Sequence, residues 1–275
     1  MDHRDFLLDD LGRRIRSSTI LHLGEYALVV RRFDTAIKMP VVHTYDADTS
    51  INVCRAQLRQ EQRIYRCLQP DLRQELQGVV PCTAVWGNTI ELQYMSQGTL
   101  GQMLESRGVP SLPLQRRWLY QLAIGLDSIH SRRILHNDIA PRNLLLDDSL
   151  NIKFTDFGVS SIVPKNEDMH DFMDGYNCSM WTDLIQLGSV FYAILGGQRS
   201  VVNIYPNHGA FAEYPPLDTL PDVSHMWAAG VIEDCWNPRE LHGGAREVVQ
   251  RIKNVVSYYE DLEAGRTNLG MKRPR

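Results

Sequence analysis

Three oxygen-bearing side chains, Asp138, Asn143 and Asp156, follow one another near the middle of this 275-residue chain. They lie in the stretch HNDIAPRNLLLDDSLNIKFTDFG, from His136 to Gly158. Hard divalent cations favour oxygen ligands, and Mg²⁺ in particular binds one or two carboxylates together with substrate phosphates and water. Phosphoryl transfer also needs a carboxylate that accepts the proton of the attacking hydroxyl. The residue types therefore fit a magnesium-nucleotide phosphotransfer site.

The residues around these side chains predict how they meet. Asn143 precedes a short apolar run at 144–146, and the sequence Asp-Asp-Ser at 147–149 favours a turn. Alternation of apolar with polar residues then predicts a half-buried strand that contains Leu150, Ile152 and Phe154. We expect the chain to fold back as a hairpin. The open ends of that hairpin bring Asn143 and Asp156 side by side.

This arrangement resembles the eukaryotic protein kinase family, whose catalytic loop has an asparagine five positions after its aspartate and is followed by Asp-Phe-Gly. Asn143 stands five positions after Asp138, and Asp156 opens the sequence Asp-Phe-Gly. The resemblance implies that Asp138 is the catalytic base and that Asn143 and Asp156 bind Mg²⁺. It also implies ATP as the second cofactor and a protein hydroxyl as the acceptor.

The resemblance spans about residues 15 to 258 and implies a fold of the α+β class. This fold is bilobal and kinase-like, with a small β-rich N-lobe that carries one long helix and a larger, mostly helical C-lobe. We predict an N-terminal extension, the N-lobe, the C-lobe and a basic C-terminal tail, at residues 1–14, 15–95, 96–262 and 263–275.

Upstream, the segment Thr-Ala-Ile-Lys-Met at 35–39 resembles the kinase strand that carries the phosphate-binding lysine. Strand periodicity places Ala36 and Lys38 on one face, and Ile37 and Met39 on the other. Ala36 is thus placed to cover a flat base while Lys38 reaches the phosphates of the nucleotide.

A helix is predicted from about Ser50 to Leu68, and one face of it carries apolar residues around Glu61. The apolar members of this stripe are Leu58, Ile64, Tyr65 and Leu68. A carboxylate among buried apolar neighbours is costly unless it is paired and hydrogen-bonded. We therefore predict that Lys38 is the partner of Glu61.

The loop that covers the phosphates in kinases is glycine-rich, because glycine lets backbone N–H groups approach phosphate closely. Only Gly24 matches that pattern here, and Thr19 and Leu21 stand in place of the other two glycines. The segment 91–100 resembles the hinge between the lobes, with Leu92 as gatekeeper. By position, the resemblance implies nucleotide contacts from Gly24, Ala36, Gln93, Met95 and Leu145.

Downstream of Gly158 the chain departs from the family pattern. Asp183 resembles the buried helix aspartate that anchors the catalytic loop, but no Ala-Pro-Glu precedes it. Asn137 replaces the arginine that in the family binds a phosphate on the activation segment. We therefore do not expect switching by such phosphorylation, and we interpret four hydroxyl-bearing residues as ordinary loop residues: Ser160, Ser161, Tyr176 and Ser179.

Composition bounds the class of protein. A chain of this length with 43% hydrophobic residues can bury a two-lobed core. The net charge of −4 and the scattered basic residues argue against a nucleic-acid or anionic-membrane partner. Five cysteines with no pairs two residues apart fit neither a disulfide framework nor a zinc site. We expect a monomer in a reducing compartment, cytoplasmic or nuclear.

Three functions fit these residues. The first is a protein kinase that acts on serine or threonine, with tyrosine left open because Arg142 stands four positions after Asp138. The second is a weak or inactive pseudokinase that serves as a binding or scaffold module, which the poor glycine loop favours. The third is a small-molecule kinase, and the Phe-Gly at 157–158 argues against it.

Overall fold

A computed structural model gives the structure of this chain. The backbone alone is described for 48–50, and the predicted N-terminal extension and basic tail lie largely outside the described residues. Over the described residues, none of the helices combines the length and the apolar character that crossing a bilayer requires. The described residues are 7, 13, 15–41, 48–71, 74–196, 202, 204–205, 211–238, 241–264 and 266.

The N-terminal part is built on an antiparallel sheet of five strands. The strands are β1 (Ile20–Leu23), β2 (Ala27–Arg32), β3 (Thr35–Pro40), β4 (Cys82–Trp86) and β5 (Thr89–Gln93). Their order across the sheet is β1-β2-β3-β5-β4, so the central strand β3 pairs with β2 on one side and with β5 on the other.

The two faces of β3 enter different cores, as the strand periodicity predicted. Ala36 belongs to the main core, whereas Ile37 and Met39 pack in a smaller cluster with Leu28 and Val30. The single long helix of this part, α1 (Asp48–Leu68), packs against β3 and β5. Its predicted stripe is buried throughout: Leu58, Glu61, Ile64, Tyr65 and Leu68.

The C-terminal part is mainly helical. Over the described residues it contains α2 (Leu100–Arg107), α3 (Leu112–His130), α4 (Met180–Gly196), α5 (Ala229–Trp236) and α6 (Gly244–Glu263). Helix α3 packs against α6, and α4 packs against α5. Helix α3 begins at Leu112, where Pro113 fits the first turn after the N-cap Ser111. The predicted α+β class and two-part kinase-like architecture are confirmed.

Two short ribbons carry the central motif. Strands β6 (Ile134–Leu135) and β9 (Ser161–Ile162) pair with each other, and so do β7 (Leu144–Leu146) and β8 (Ile152–Phe154). The predicted hairpin is therefore confirmed.

Leu150 was wrongly assigned to the second strand of this hairpin. It lies in the turn with φ 58°. The reason is the Asp147 carboxylate, which accepts hydrogen bonds from the N–H groups of Ser149 and Asn151 and closes a loop at this point. The strand therefore begins only at Ile152.

Close packing between α4 and α5 leads to a stability prediction. A Cβ added at Gly188 would lie 2.7 Å from Cys235 Cβ and 3.0 Å from Trp236 Cδ1. We expect Gly188→Ala to lower the free energy of unfolding by about 1–3 kcal/mol through overpacking, although alanine favours helices. Gly101→Ala in α2 is the matched control, since its Cβ would meet Pro141 at an ordinary 3.7 Å. Urea denaturation measures both, and equal stability of the two variants would contradict the packing argument.

Candidate active site

The loop that carries Asp138 is fastened to helix α4. Asp183, fully buried in the first turn of that helix, accepts hydrogen bonds from the backbone N–H groups of His136 and Asn137, both at 2.8 Å. His130 Nε2 lies 2.9 Å from the same carboxylate. The predicted anchoring role of Asp183 is what the geometry shows.

Sequence reasoning missed a second anchor on the same helix face. Gln186 lies three residues after Asp183, and its Oε1 accepts a hydrogen bond from Ile139 N at 3.0 Å. The helical spacing of the two residues was the available signal. Side chains of one buried helix therefore bind backbone N–H groups on both sides of Asp138.

The Asp138 carboxylate is oriented from both sides. Asn143 Nδ2 donates to Asp138 Oδ2 at 2.7 Å and to the Asp138 carbonyl oxygen at 2.9 Å. Arg142 Nη2 donates to Asp138 Oδ1 at 2.5 Å. Because its amide nitrogen faces Asp138, the amide oxygen is the atom with which Asn143 could bind a cation. The predicted base and the predicted metal ligand are thus in direct contact.

The Asp-Phe-Gly motif lies between the hairpin and helix α1. Thr155 N donates to the Asn143 carbonyl at 3.0 Å, which joins the open ends of the hairpin. The fully buried Phe157 ring packs edge-on against Tyr65 of α1, with ring centroids 5.2 Å apart, and 4.9 Å from the ring of His136. Burial lowers the pKa of His136, so this imidazole is a neutral packing group near neutral pH.

One buried ammonium joins three elements. Lys38 Nζ on β3 lies 2.6 Å from Glu61 Oε2 on α1 and 2.8 Å from Asp156 Oδ1. Glu61 Oε1 also accepts a hydrogen bond from Phe157 N at 3.3 Å. The predicted Lys38–Glu61 pair is therefore present, and Asp156 shares its cation.

Burial and charge act in opposite directions on this triad. Burial alone would lower the pKa of Lys38, but the carboxylates of Glu61 and Asp156 raise it above its ordinary value. Burial raises the pKa of Glu61, and the Lys38 ammonium opposes that shift. Burial would also raise the pKa of Asp156, but the same ammonium holds it below its usual range. The Asp156 side chain is 48% exposed and 2.8 Å from Lys38, so it is a charged oxygen donor that a ligand can reach.

A cleft of about 670 Å³ lies between the sheet and the helical part, and every predicted site residue lines it. The gatekeeper Leu92 lines it too. Geometry thus brings the predicted residues together, while the roles that the resemblance implies stay predictions. The predicted site residues that line the cleft are Gly24, Ala36, Lys38, Glu61, Gln93, Met95, Asp138, Asn143, Leu145 and Asp156.

The donor set fits Mg²⁺ bound together with phosphates. Among the described residues, no group of three or more His, Cys, Asp or Glu side chains is placed so that it could hold a metal ion. Asp156 and Asn143 instead offer one carboxylate and one amide at the wall of the cleft. Mg²⁺ commonly binds one or two protein ligands and completes its shell with water and substrate phosphates. The residues therefore suit a metal that arrives with a nucleotide.

The lid over the cleft is poor in glycine, as the sequence indicated. Gly24 N donates to the Ala27 carbonyl at 2.9 Å and closes the turn between β1 and β2. Leu21 lines the cleft with 44% of its surface exposed, whereas Thr19 ends a short 3₁₀ turn before β1. An apolar side chain thus stands where the family pattern has a glycine.

Three of the four hydroxyl-bearing residues after Gly158, Ser160, Tyr176 and Ser179, lie outside helices and strands, as predicted, and only the assignment of Ser161 to a loop was wrong. Ser160 is buried and donates to the His136 carbonyl at 2.9 Å, and Ser161 lies in strand β9. Ser179 is buried at the start of α4, and only Tyr176 is largely exposed, at 62%. The sequence pattern did not reveal these contacts, because they form between segments that are distant along the chain.

The electrostatics of the triad lead to a prediction on stability and pH. We expect Lys38→Met to lower the free energy of unfolding by about 3 kcal/mol at pH 7, because it leaves the buried Glu61 without its cation. In the variant, the pKa of Glu61 in the folded state is raised above its unfolded value. The folded state then loses stability as pH rises from about 4.3 through the raised pKa. The loss in free energy of unfolding relative to the original chain should thus be smaller at pH 5 than at pH 7.

Lys153→Met is the matched control for that experiment. Lys153 Nζ lies 3.6 Å from Glu75 Oε2, and the Glu75 side chain is 66% exposed. An exposed pair of this kind contributes less than about 1 kcal/mol. Urea denaturation at the two pH values measures both variants. Equal losses in the two, or a Lys38→Met deficit that does not change with pH, would show that the triad does not carry the assigned energy.

Comparison with known proteins was made with this geometry in hand. The chain is 24% identical over 252 residues to the serine/threonine/tyrosine-protein kinase HT1 of Arabidopsis thaliana, which covers 82% of this chain and 61% of that protein. It is 29% identical over 158 residues to the CBL-interacting serine/threonine-protein kinase 16 of the same plant, covering 47% of this chain and 34% of that protein.

A third relative is the serine/threonine-protein kinase PDK1 of Cryptococcus neoformans, which is 33% identical over 98 residues. That match covers 34% of this chain and 8% of the relative. The matched regions thus span less than two thirds of each of these three relatives. The family model for the protein kinase domain matches residues 23–178, which is more than half of the chain. The chain therefore belongs to the protein kinase domain family.

Proposed function

We propose that this protein transfers the γ-phosphoryl group of ATP to a hydroxyl group of a protein substrate. The observation that carries the proposal is the bridged ammonium: Lys38 contacts Glu61 and Asp156 at the wall of a cleft that Asp138 and Asn143 also line. Burial of the charged Lys38 and Glu61 costs free energy, and both side chains line the cleft next to the accessible Asp156. The geometry thus favours a working phosphotransfer site over a binding module.

Asp138 is assigned as the group that accepts the proton of the substrate hydroxyl. Its carboxylate is held by Asn143 and Arg142, so that it keeps one orientation toward the cleft. Positioning of this kind supplies much of the rate in phosphoryl transfer, where the protein does little covalent chemistry.

Lys38 is assigned to the α- and β-phosphates of ATP, and Asn143 and Asp156 to Mg²⁺. When bound, Mg²⁺ neutralises charge on the phosphate oxygens. Ala36, Leu92 and Leu145 give apolar walls on which an adenine ring can lie. The lowered pKa of Asp156 keeps that carboxylate charged at neutral pH.

We assign serine or threonine as the acceptor and test tyrosine beside it. Two of the three relatives described above are named serine/threonine kinases, and the third is named a serine/threonine/tyrosine kinase. Tyrosine is tested because Arg142 stands four positions after Asp138, and its largely exposed side chain contacts the assigned base.

Removal of the base tests the proposal. We expect Asp138→Asn to lower kcat for peptide phosphorylation at least about 100-fold, because the amide cannot accept the hydroxyl proton. Incubation with labelled ATP and mixed serine, threonine and tyrosine peptides measures this effect. The control is Asp222→Asn, since Asp222 caps an exposed turn at Ser224. Equal labelling by the original chain and by Asp138→Asn would remove the proposal, and label found only on small molecules would select a small-molecule kinase.

Nucleotide binding is tested separately from turnover. We expect Mg-ATP to raise the Tm of the original chain and to have a much smaller effect on Asp156→Ala, which lacks a metal ligand and a partner of Lys38. A thermal-shift titration with ATP, with and without Mg²⁺, measures this difference. A magnesium-dependent shift without any phosphorylation would identify a pseudokinase, whereas a shift that survives in Asp156→Ala would contradict the assigned metal ligand.

A further inference from the structure

Asp174 lies between Gly158 and helix α4, and its carboxylate has two differently used oxygens. Oδ1 accepts hydrogen bonds from Tyr176 N at 2.8 Å and from Cys178 N at 2.9 Å. An aspartate that binds backbone N–H groups two and four residues ahead closes a local turn. This oxygen thus shapes the approach to α4.

The second oxygen of Asp174 reaches a different part of the chain. Ser161 Oγ donates to Asp174 Oδ2 at 2.5 Å, and Asn137 Nδ2 donates to the same oxygen at 3.0 Å. Asn137 Nδ2 is also 3.0 Å from the Val159 carbonyl. Ser161 Oγ lies at 3.0 Å as well, so all three hydrogen-bond partners of this nitrogen are oxygen atoms, which supports this orientation of the Asn137 amide. The contact joins the catalytic loop to both ends of the segment 159–178.

Asn137 immediately precedes Asp138, so a contact that fixes Asn137 also restricts the position of Asp138. Only 2% of the Asn137 surface is exposed. Its N–H donates to Asp183, and its carbonyl accepts hydrogen bonds from Gln186 Nε2 and Tyr205 OH, both at 3.3 Å. Its backbone has φ 68°, a conformation that asparagine adopts more readily than most residues. The side-chain contact with Asp174 completes the fixation of this residue.

We propose that Asp174 is a positioning residue that holds the catalytic loop through Asn137 and does so without any phosphoryl group. The inference rests on the proposed function for its catalytic consequence only. The Asp174 carboxylate supplies the negative charge that orders the segment 159–178, through hydrogen bonds to a charged acceptor that are stronger than neutral ones. Asp138 is then oriented before any substrate binds.

One substitution separates the two uses of Asp174. In Asp174→Asn, the remaining side-chain oxygen can still accept from Tyr176 N and Cys178 N, so the local turn is kept. The other oxygen becomes an NH₂ group that faces the NH₂ group of Asn137, and that contact is repulsive. Asp174→Ala removes both uses. Ser161→Ala removes one donor to Oδ2 and serves as a milder variant in case Asp174→Asn folds poorly.

Hydrogen exchange tests the inference without recourse to activity. In the full chain we expect Asp174→Asn to speed amide exchange at 159–161 and 136–138 about tenfold or more, because a hydrogen bond to a charged group is lost. Exchange at Tyr176 and Cys178 should change less than in Asp174→Ala. Ser161→Ala should show a smaller change at 159–161.

Phosphatase treatment tests whether a phosphoryl group contributes to this order. The original chain should exchange at the same rate before and after the treatment. The inference fails if treatment speeds exchange, or if Asp174→Asn leaves it unchanged at 136–138.

Kinetics test the catalytic consequence. We expect Asp174→Asn to lower kcat about tenfold, because Asp138 loses its fixed orientation. The KM for ATP should change less than about twofold, since the hydrogen bonds of Asp174 named above do not involve Lys38 or Asp156. The control is Asp171→Asn, an exposed carboxylate of the same segment. A rise in KM for ATP at unchanged kcat would overturn the positioning role. Absence of turnover in the original chain would reject the proposed function alone, because the exchange measurement still decides the link.

Discussion

The structure depends on one buried cation. Lys38 lies on the central strand of the sheet, and its ammonium contacts both the Glu61 carboxylate of helix α1 and the Asp156 carboxylate of the Asp-Phe-Gly motif. The carboxylates of Glu61 and Asp156 offset its desolvation, and a buried charge without a partner would cost several kcal/mol. The sheet, the helix and the helical part are thereby held in one arrangement around the cleft.

A second constraint fixes the opposite wall of the cleft. Helix α4 presents Asp183 and Gln186 to the loop backbone, so the loop is attached to a helix whose residues are mostly buried. Asn137 and Asp156 both adopt positive φ, at 68° and 64°. Such conformations persist where surrounding contacts determine them, and they concentrate at functional sites. Asp156 lines the cleft and Asn137 immediately precedes Asp138, which also lines it, so both conformations bear on the orientation of the proposed base and metal ligand.

Departures from the family pattern have specific structural consequences. Asn137, which stands in place of an arginine, directs its amide to Asp174 and the Val159 carbonyl. Leu21, which stands in place of a glycine, adds an apolar side chain to the rim of the cleft. The first departure is compensated by new hydrogen bonds within the chain. The second changes the lid, whose fewer glycines give backbone N–H groups less freedom to approach phosphate.

The hairpin and the buried stripe of α1 could be predicted from the sequence, because periodicity and short motif spacing depend on local chain geometry. The Lys38–Glu61 pair could be predicted because a buried carboxylate needs a cation and because the segment around Lys38 resembles the kinase strand. The ten site residues predicted from the sequence all line one cleft, together with others, such as Gln57 and Thr155, that were not predicted. The contact of Asp156 with the Lys38 ammonium and the hydrogen bond between Asn137 and Asp174 are visible only in the packed structure. These contacts join residues 118 and 37 positions apart. No sequence period specifies such contacts, since they arise only when separate elements pack against each other.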